Sequence, residues 1–268
     1  MKRLIVLLSV IIFITGCVNK ETVSVTVTEN SPLQHPIQDI TSGKKLTEDE
    51  FEKRMPKEPQ YYVSSDTYWY VKPIADAPKN VVLLTIDDGP DKFSLEMAQT
   101  LKELGVGAIF FINGHFIDTD EEKAILKEIY DLGFDIGNHT WGHVNLRTMT
   151  EEEQRESIIS LSDEIEAITG ERPKFFRAPH GANTDFAREL VKEEGMLLMN
   201  WSYGYDFMGD YMDAEALLDI SLTTNLLYDG ANILLHDRSW TNEALKDMVI
   251  GLQEKGYIIL DPDLIQVP

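Results

Sequence analysis

The sequence predicts an α/β domain built on parallel strands, running from about residue 80 to the C-terminus. Three observations carry this. Seven apolar runs recur at 81–86, 107–112, 134–136, 175–176, 196–201, 232–235 and 257–260. Most are separated by charged, amphipathic stretches that end in glycine, the pattern of strands joined by crossover helices. Polar clusters stand at the ends of five runs, where open sheets and barrels alike place their chemistry. An open doubly wound sheet and a barrel both fit this count.

The elements follow in chain order. Lys2-Arg3, the apolar run Leu4 to Ile14 and the string Ile14-Thr15-Gly16-Cys17 have the layout of a secretory signal, with an apolar part too short to span a bilayer. The last four residues look like a bacterial lipobox. They predict cleavage before Cys17, lipidation of its thiol and an extracytoplasmic, membrane-anchored protein. Cys17 is the single cysteine, so no intramolecular disulfide is available. Residues 17–45, rich in Thr, Ser, Val, Gln and Pro, suit a flexible tether. Thr47-Glu48-Asp49-Glu50 has the spacing of a capping box and predicts a short helix. Residues 46–79 are expected to form an extension packed on the domain, through an aromatic stretch holding Tyr61, Tyr62, Tyr68, Trp69 and Tyr70. Within 80–268, helical stretches are expected over Asp91–Gly105, Thr119–Gly133 and Thr150–Gly170. The last opens on a second capping box, Thr150-Glu151-Glu152-Glu153.

The formal net charge is −22. Residues 1–45 carry five basic and three acidic side chains, so the remainder stands at −24. Such an acidic body excludes nucleic acid as a partner, because phosphate binding needs a basic patch.

The chemistry concentrates in the five clusters. Thr85-Ile86-Asp87-Asp88-Gly89-Pro90 ends the first run. Alone it reads as a turn. Neighbouring strand residues point to opposite faces, so both acids reach one cleft only if the strand end is irregular. His139-Thr140-Trp141-Gly142-His143 comes next, and two imidazoles four apart on a helical turn face the same way, a common means of holding a divalent ion. Arg177-Ala178-Pro179-His180-Gly181, then Trp201 with Asp206-Phe207, then Ile233-Leu234-Leu235-His236-Asp237 complete the set.

With all five in view, the chain resembles the NodB-homology polysaccharide deacetylases, carbohydrate esterase family 4, from about Asn80 onward. The family's T-F-D-D-G-P matches Thr85 to Pro90 with Ile86 for Phe. Its H-[ST]-x-x-H matches His139 to His143 in full. Its R-x-P-[YF]-G matches Arg177 to Gly181 with His180 in the aromatic slot. Its D-W is met by Asp206-Phe207, and its [IV]-x-L-x-H by Ile233 to His236, one residue shorter.

The resemblance implies a distorted (β/α) barrel of about seven strands. It assigns Asp88, His139 and His143 as metal ligands, with zinc the expected ion and cobalt an alternative. It makes Asp87 the base and His236 the acid that protonates the departing amine. Arg177 would hold Asp87 ionised, and Asp206 would raise the pKa of His236. The backbone N–H of His180 would face the oxyanion, Leu234 would line the acetyl pocket, and Trp201 and Phe207 would wall the cleft. The implied activity is removal of N-acetyl groups from a cell-wall glycan, with peptidoglycan N-acetylglucosamine or N-acetylmuramic acid as the nearest target. Rivals within the class are a chitin or poly-N-acetylglucosamine deacetylase and a xylan O-acetyl esterase. A non-haem iron oxygenase could use the same ligand set, but it needs no acid–base pair. A glycan-binding lipoprotein whose catalysis has lapsed is the remaining alternative.

Overall fold

The computed structural model describes residues 58–268. The predicted signal, Cys17, the tether and the helix after Thr47 lie outside the described residues.

The described chain opens with a small antiparallel hairpin, β1 (Tyr61–Val63) and β2 (Val71–Pro73). Seven parallel strands follow: β3 (Val81–Gly89), β4 (Ile109–Ile112), β5 (Asp135–Asn138), β6 (Phe175–Phe176), β7 (Leu197–Leu198), β8 (Ala231–His236) and β9 (Ile258–Ile259). Six stand in the order β7-β6-β5-β4-β3-β8, and β9 pairs with the start of β3. The sheet curls into an open, barrel-like shape. Its gap is spanned by the segment after β7, where Tyr203 bridges Ile233 and Ser202 N donates to Asn232 O at 2.7 Å.

Six helices connect these strands: α1 (Ser94–Glu103), α2 (Asp120–Asp131), α3 (Glu151–Thr169), α4 (Asp185–Glu193), α5 (Ala214–Thr223) and α6 (Ser239–Glu254). The capping box expected at Thr150 and Glu153 is formed, and α3 ends on Gly170 at φ 87°. That left-handed cap is the conformation that costs glycine least. Among the described residues no helix is long and apolar enough to cross a membrane.

The alternation of β3 explains its unbroken apolar run. Val82, Leu84 and Ile86 pack into one cluster with Met97 and Leu101 of α1 and Leu245 and Met248 of α6. Val81 and Leu83 pack on the opposite face with Ile109, Phe111, Phe175 and Met199. A strand covered on both faces reads as continuously hydrophobic. The hairpin joins the second cluster through buried Tyr61 and Val71, and Val71 N donates to Gly230 O at 2.7 Å. Tyr62 and Tyr68 remain exposed.

Several observed strands differ from the apolar runs. The run at 196–201 shortens to Leu197–Leu198, because Asn200 to Tyr203 turn across the gap to β8. The first run lengthens, as β3 carries its pairing through Asp87, opposite His236, and on to Gly89. Asp87 and His236 therefore sit side by side at the carboxyl ends of adjacent strands.

Candidate active site

The register between β3 and β4 breaks between Ile86 and Gly89, and Asp88 takes a left-handed φ of 63°. This irregularity lets two adjacent acids reach one cleft. Asp87 keeps its strand direction and is buried. Asp88 is turned so that Oδ1 lies 3.4 Å from His143 Nε2 and 3.7 Å from His139 Nε2.

The histidines are not on a helical turn, which corrects the spacing argument. Residues 139–145 form a loop, with Thr140 at φ 70° and His143 at φ 53°. Packing and hydrogen bonds convey what helical geometry would have supplied. Asn113 Nδ2 donates to His139 O at 2.7 Å and Thr140 O at 3.1 Å. Asn138 Oδ1 accepts from Thr140 N at 2.9 Å. Trp141 lies so close over Gly114 that any Cβ there would meet its ring at 2.3 Å. Non-glycine residues at positive φ cost energy and persist where the surroundings over-determine them. Four of the six described, Asp88, Thr140, His143 and His180, lie at this site.

One atom of each of Asp88, His139 and His143 lies within 4.8 Å of the others, so this set could hold a metal ion. Two observations fit that use. Asp88 Oδ1 is buried and has no hydrogen-bond partner in the protein, a costly state unless something else satisfies it. His139 Nδ1 donates to Arg177 O at 2.7 Å, which fixes the tautomer and leaves the Nε2 lone pair facing the acids. Burial lowers the His139 pKa to about 3 and also lowers that of His143. Both imidazoles are thus neutral near pH 7, the form that binds metal.

Arg177 works at both ends. Its carbonyl holds His139, and its fully buried guanidinium holds Asp87. Nη1 donates to Asp87 Oδ1 at 2.7 Å and to Thr85 Oγ1 at 2.8 Å, and Nη2 donates to Asn200 O at 2.9 Å. The guanidinium also lies over the Phe111 ring, 4.4 Å from its centroid. Arg177 thus contacts Asp87 directly, but it does not set the direction of its pKa. Burial raises the Asp87 pKa, and the opposing effects of Arg177 and His236 do not cancel it. A raised carboxylate is a stronger base.

His236 is held by Asp206. Asp206 Oδ1 lies 2.7 Å from His236 Nδ1, and Oδ2 accepts from His236 N at 2.6 Å. Burial alone would lower the His236 pKa, but hydrogen bonding to Asp206 and its charge raise it overall. With Nδ1 engaged, Nε2 is the nitrogen left for the cleft.

The remaining sequence candidates surround this core. Leu234 is buried on the same face of β8 as His236. Trp201 is half-buried, 5.8 Å from the Arg177 guanidinium. His180 is exposed and meets the His143 ring edge-on at 4.8 Å. Phe207, 46% exposed, meets His236 edge-on at 5.6 Å, leaving much of its surface open to a ligand.

Sequence reasoning missed several supports. Thr241 Oγ1 donates to Asp206 Oδ2 at 2.9 Å, and Trp240 Nε1 donates to Asp206 O at 2.9 Å. Asp237 accepts from the backbone N–H groups of Asp91, Lys92, Phe93 and Ser94 and from the Ser94 hydroxyl. It bolts the turn after β3 to the end of β8. Arg238 reaches Asp88. Asp237, Arg238, Trp240 and Thr241 all fall within five residues of His236, and that proximity is the one signal the sequence offers.

A family model described as polysaccharide deacetylase matches residues 75–199. A solved family 4 carbohydrate esterase from Bacillus anthracis is 32% identical, with a TM-score of 0.57, covering 69% of this chain and 81% of that one. The chain belongs to carbohydrate esterase family 4, the polysaccharide deacetylases. A peptidoglycan-N-acetylglucosamine deacetylase from Bacillus cereus is 31% identical over 187 residues, which is 66% of this chain and 65% of that protein. The match thus spans just under two thirds of that relative. A wild-type family 4 pseudoenzyme from Bacillus anthracis is also similar, at 28% identity and a TM-score of 0.62, over 68% of this chain and 63% of that one. A mutant of that protein has restored enzymatic activity.

Proposed function

We propose that this family 4 chain is an active, metal-dependent deacetylase that removes N-acetyl groups from peptidoglycan, at N-acetylglucosamine or N-acetylmuramic acid. The observation that carries the reading is the pairing of Asp87 with His236 in register beside the Asp88, His139 and His143 set. A proton acceptor and a proton donor flank a candidate metal centre. The name of the Bacillus cereus relative supports peptidoglycan as the polymer. A pseudoenzyme is among the similar proteins, but the presence here of Asp87, Asp88, His139, His143, Arg177 and His236 supports an active enzyme.

Asp88, His139 and His143 would hold the ion, with zinc favoured by the nitrogen-rich set and cobalt able to substitute. Such an ion polarises an acyl oxygen and acidifies a nearby water. Asp87, oriented by Arg177, takes a proton from the water as its oxygen bonds to the acetyl carbon. The His180 backbone N–H donates to the carbonyl oxygen as charge builds there. The C–N bond then breaks, and His236 delivers its proton to the departing nitrogen, giving acetate and an amine. Leu234 borders the acetyl methyl, and Trp201 and Phe207 border the sugar.

The test is incubation of zinc-loaded and chelated protein with muropeptides and with chitooligosaccharides, read by mass. Loss of acetyl from muropeptides in the zinc-loaded sample alone is the expected result. Inactivity on both substrates would contradict the reading, and activity on chitooligosaccharides alone would replace the polymer. The lipobox-like string supports an extracytoplasmic protein anchored through lipid on Cys17. Cys17→Ser is expected to move the protein out of the membrane fraction or leave an unprocessed precursor. Unchanged fractionation would contradict the anchor.

A further inference from the structure

We infer that Arg238 is a positioning residue for the ligand Asp88, holding Oδ2 so that Oδ1 alone is presented to His139 and His143. The inference rests on the metal centre proposed above and adds a residue that the family motifs do not contain.

Asp88 needs external support. It sits off the strand ladder, at a positive φ, so its backbone does not pin the carboxylate against a sheet neighbour. Its two oxygens have unlike surroundings. Oδ1 is buried, has no hydrogen-bond partner and faces both imidazoles. Oδ2 accepts from Arg238 Nη2 at 3.2 Å. A carboxylate with both oxygens unengaged can rotate or offer both to an ion; one with an oxygen occupied by a guanidinium offers the other.

Arg238 is itself anchored. Its Nη1 donates to Asp237 O at 2.7 Å, and the Asp237 carboxylate is tied to the turn that follows Asp88. One planar guanidinium therefore bridges a fixed carbonyl and a ligand carboxylate. A lysine ammonium is a point charge on a flexible stem and cannot reproduce that fork. The positive charge of Arg238 opposes a nearby cation. Its side chain is 37% exposed, however, and solvent and salt screen that repulsion. The geometric effect should therefore exceed the charge effect.

The test measures Zn2+ affinity of the full chain by competition with a chelating dye, in wild type, Arg238→Met, Arg238→Lys and His143→Ala. Losing a group that orients a metal ligand typically costs about 10–100-fold in affinity, and that loss is expected for Arg238→Met. Arg238→Lys should fall between it and wild type. Thermal unfolding without metal should change little in either variant, because the guanidinium is partly exposed. Should Arg238→Met fail to fold, Arg238→Lys decides. Zn2+ affinity within about two-fold of wild type, or tighter, in the folded variants would overturn the inference. So would a raised KM with unchanged Zn2+ affinity, which would make Arg238 a substrate contact. A wild type that binds no Zn2+ would sink the metal reading as well. Binding lost in His143→Ala but kept in both Arg238 variants would sink this inference alone.

Discussion

Two carboxylate–cation pairs flank the cleft, and they are inverted copies of each other. Arg177 meets Asp87 at 2.7 Å, and His236 meets Asp206 at 2.7 Å. In the first pair the cation is the buried backer, at 0% exposure, and the carboxylate adjoins the metal-ligand set. In the second the carboxylate is the buried backer, at 0%, and the imidazole reaches the cleft at 15%. The difference teaches that an ion pair has no fixed role in catalysis. In the proposed mechanism, the partner turned toward the cleft decides whether the pair accepts or donates a proton. Burial reinforces the assignment by raising the pKa of Asp87, and Asp206 reinforces it by raising that of His236.

The largest effect expected from breaking this inversion is on the rate. Asp87→Asn keeps shape but removes the base, so deacetylation should fall on the order of 10²–10⁴-fold. Metal content, read by atomic absorption, should hardly change, because Asp88 remains. Metal loss with catalysis intact would mean that the two acids have exchanged roles. His236→Ala should reduce amide hydrolysis on a similar scale. An acetyl ester with a good leaving group needs less help from an acid, so its loss should be smaller. Equal losses on both substrates would remove His236 from the donor role.

Stability should separate the pairs next. Removing one partner of a buried ion pair leaves an uncompensated charge and costs about 3–5 kcal/mol. Arg177→Met should show a loss of that order in denaturant unfolding, since it leaves the buried Asp87 carboxylate without its guanidinium partner. His236→Ala should cost less, because Asp206 keeps the Thr241 hydroxyl and the backbone N–H of residue 236. A cost for His236→Ala equal to that for Arg177→Met would mean that the two pairs are structurally equivalent.

The frame of the protein was legible because its signals are local. The run Val81 to Ile86 is apolar because both faces of β3 are covered, and the Thr150–Glu153 box acts within one helical turn. Four of the five motif strings were legible because each stands at or just after a strand end, whereas Asp206-Phe207 follows the segment that crosses the gap after β7. The rim was legible only in part. The irregularity that turns Asp88 toward the histidines sits at non-glycine residues with positive φ, and the neighbouring Gly89, Gly142 and Gly181 announce a turn without giving its direction. The spacing of His139 and His143 suits a helical turn, whereas the loop that holds them is shaped by Asn113, Gly114 and Trp141. Thr241 and Arg238 find their partners, Asp206 and Asp88, on other segments, and such pairings leave no periodicity in one sequence. The direction of the Asp87 pKa was also not legible, since it depends on how much water the fold excludes.

The most direct test of the central claim is the pH dependence of amide deacetylation in wild type and Asp206→Asn. The wild-type profile should be bell-shaped. Its acid limb marks deprotonation of Asp87, placed by burial above the ordinary carboxylate range. Its alkaline limb marks loss of the His236 proton, placed above the ordinary histidine value by Asp206. Removing the Asp206 charge lowers the His236 pKa, so the acid form is lost sooner as pH rises. The account predicts that the alkaline limb moves to lower pH while the acid limb stays. An unmoved alkaline limb, or a shift of the acid limb instead, would contradict it.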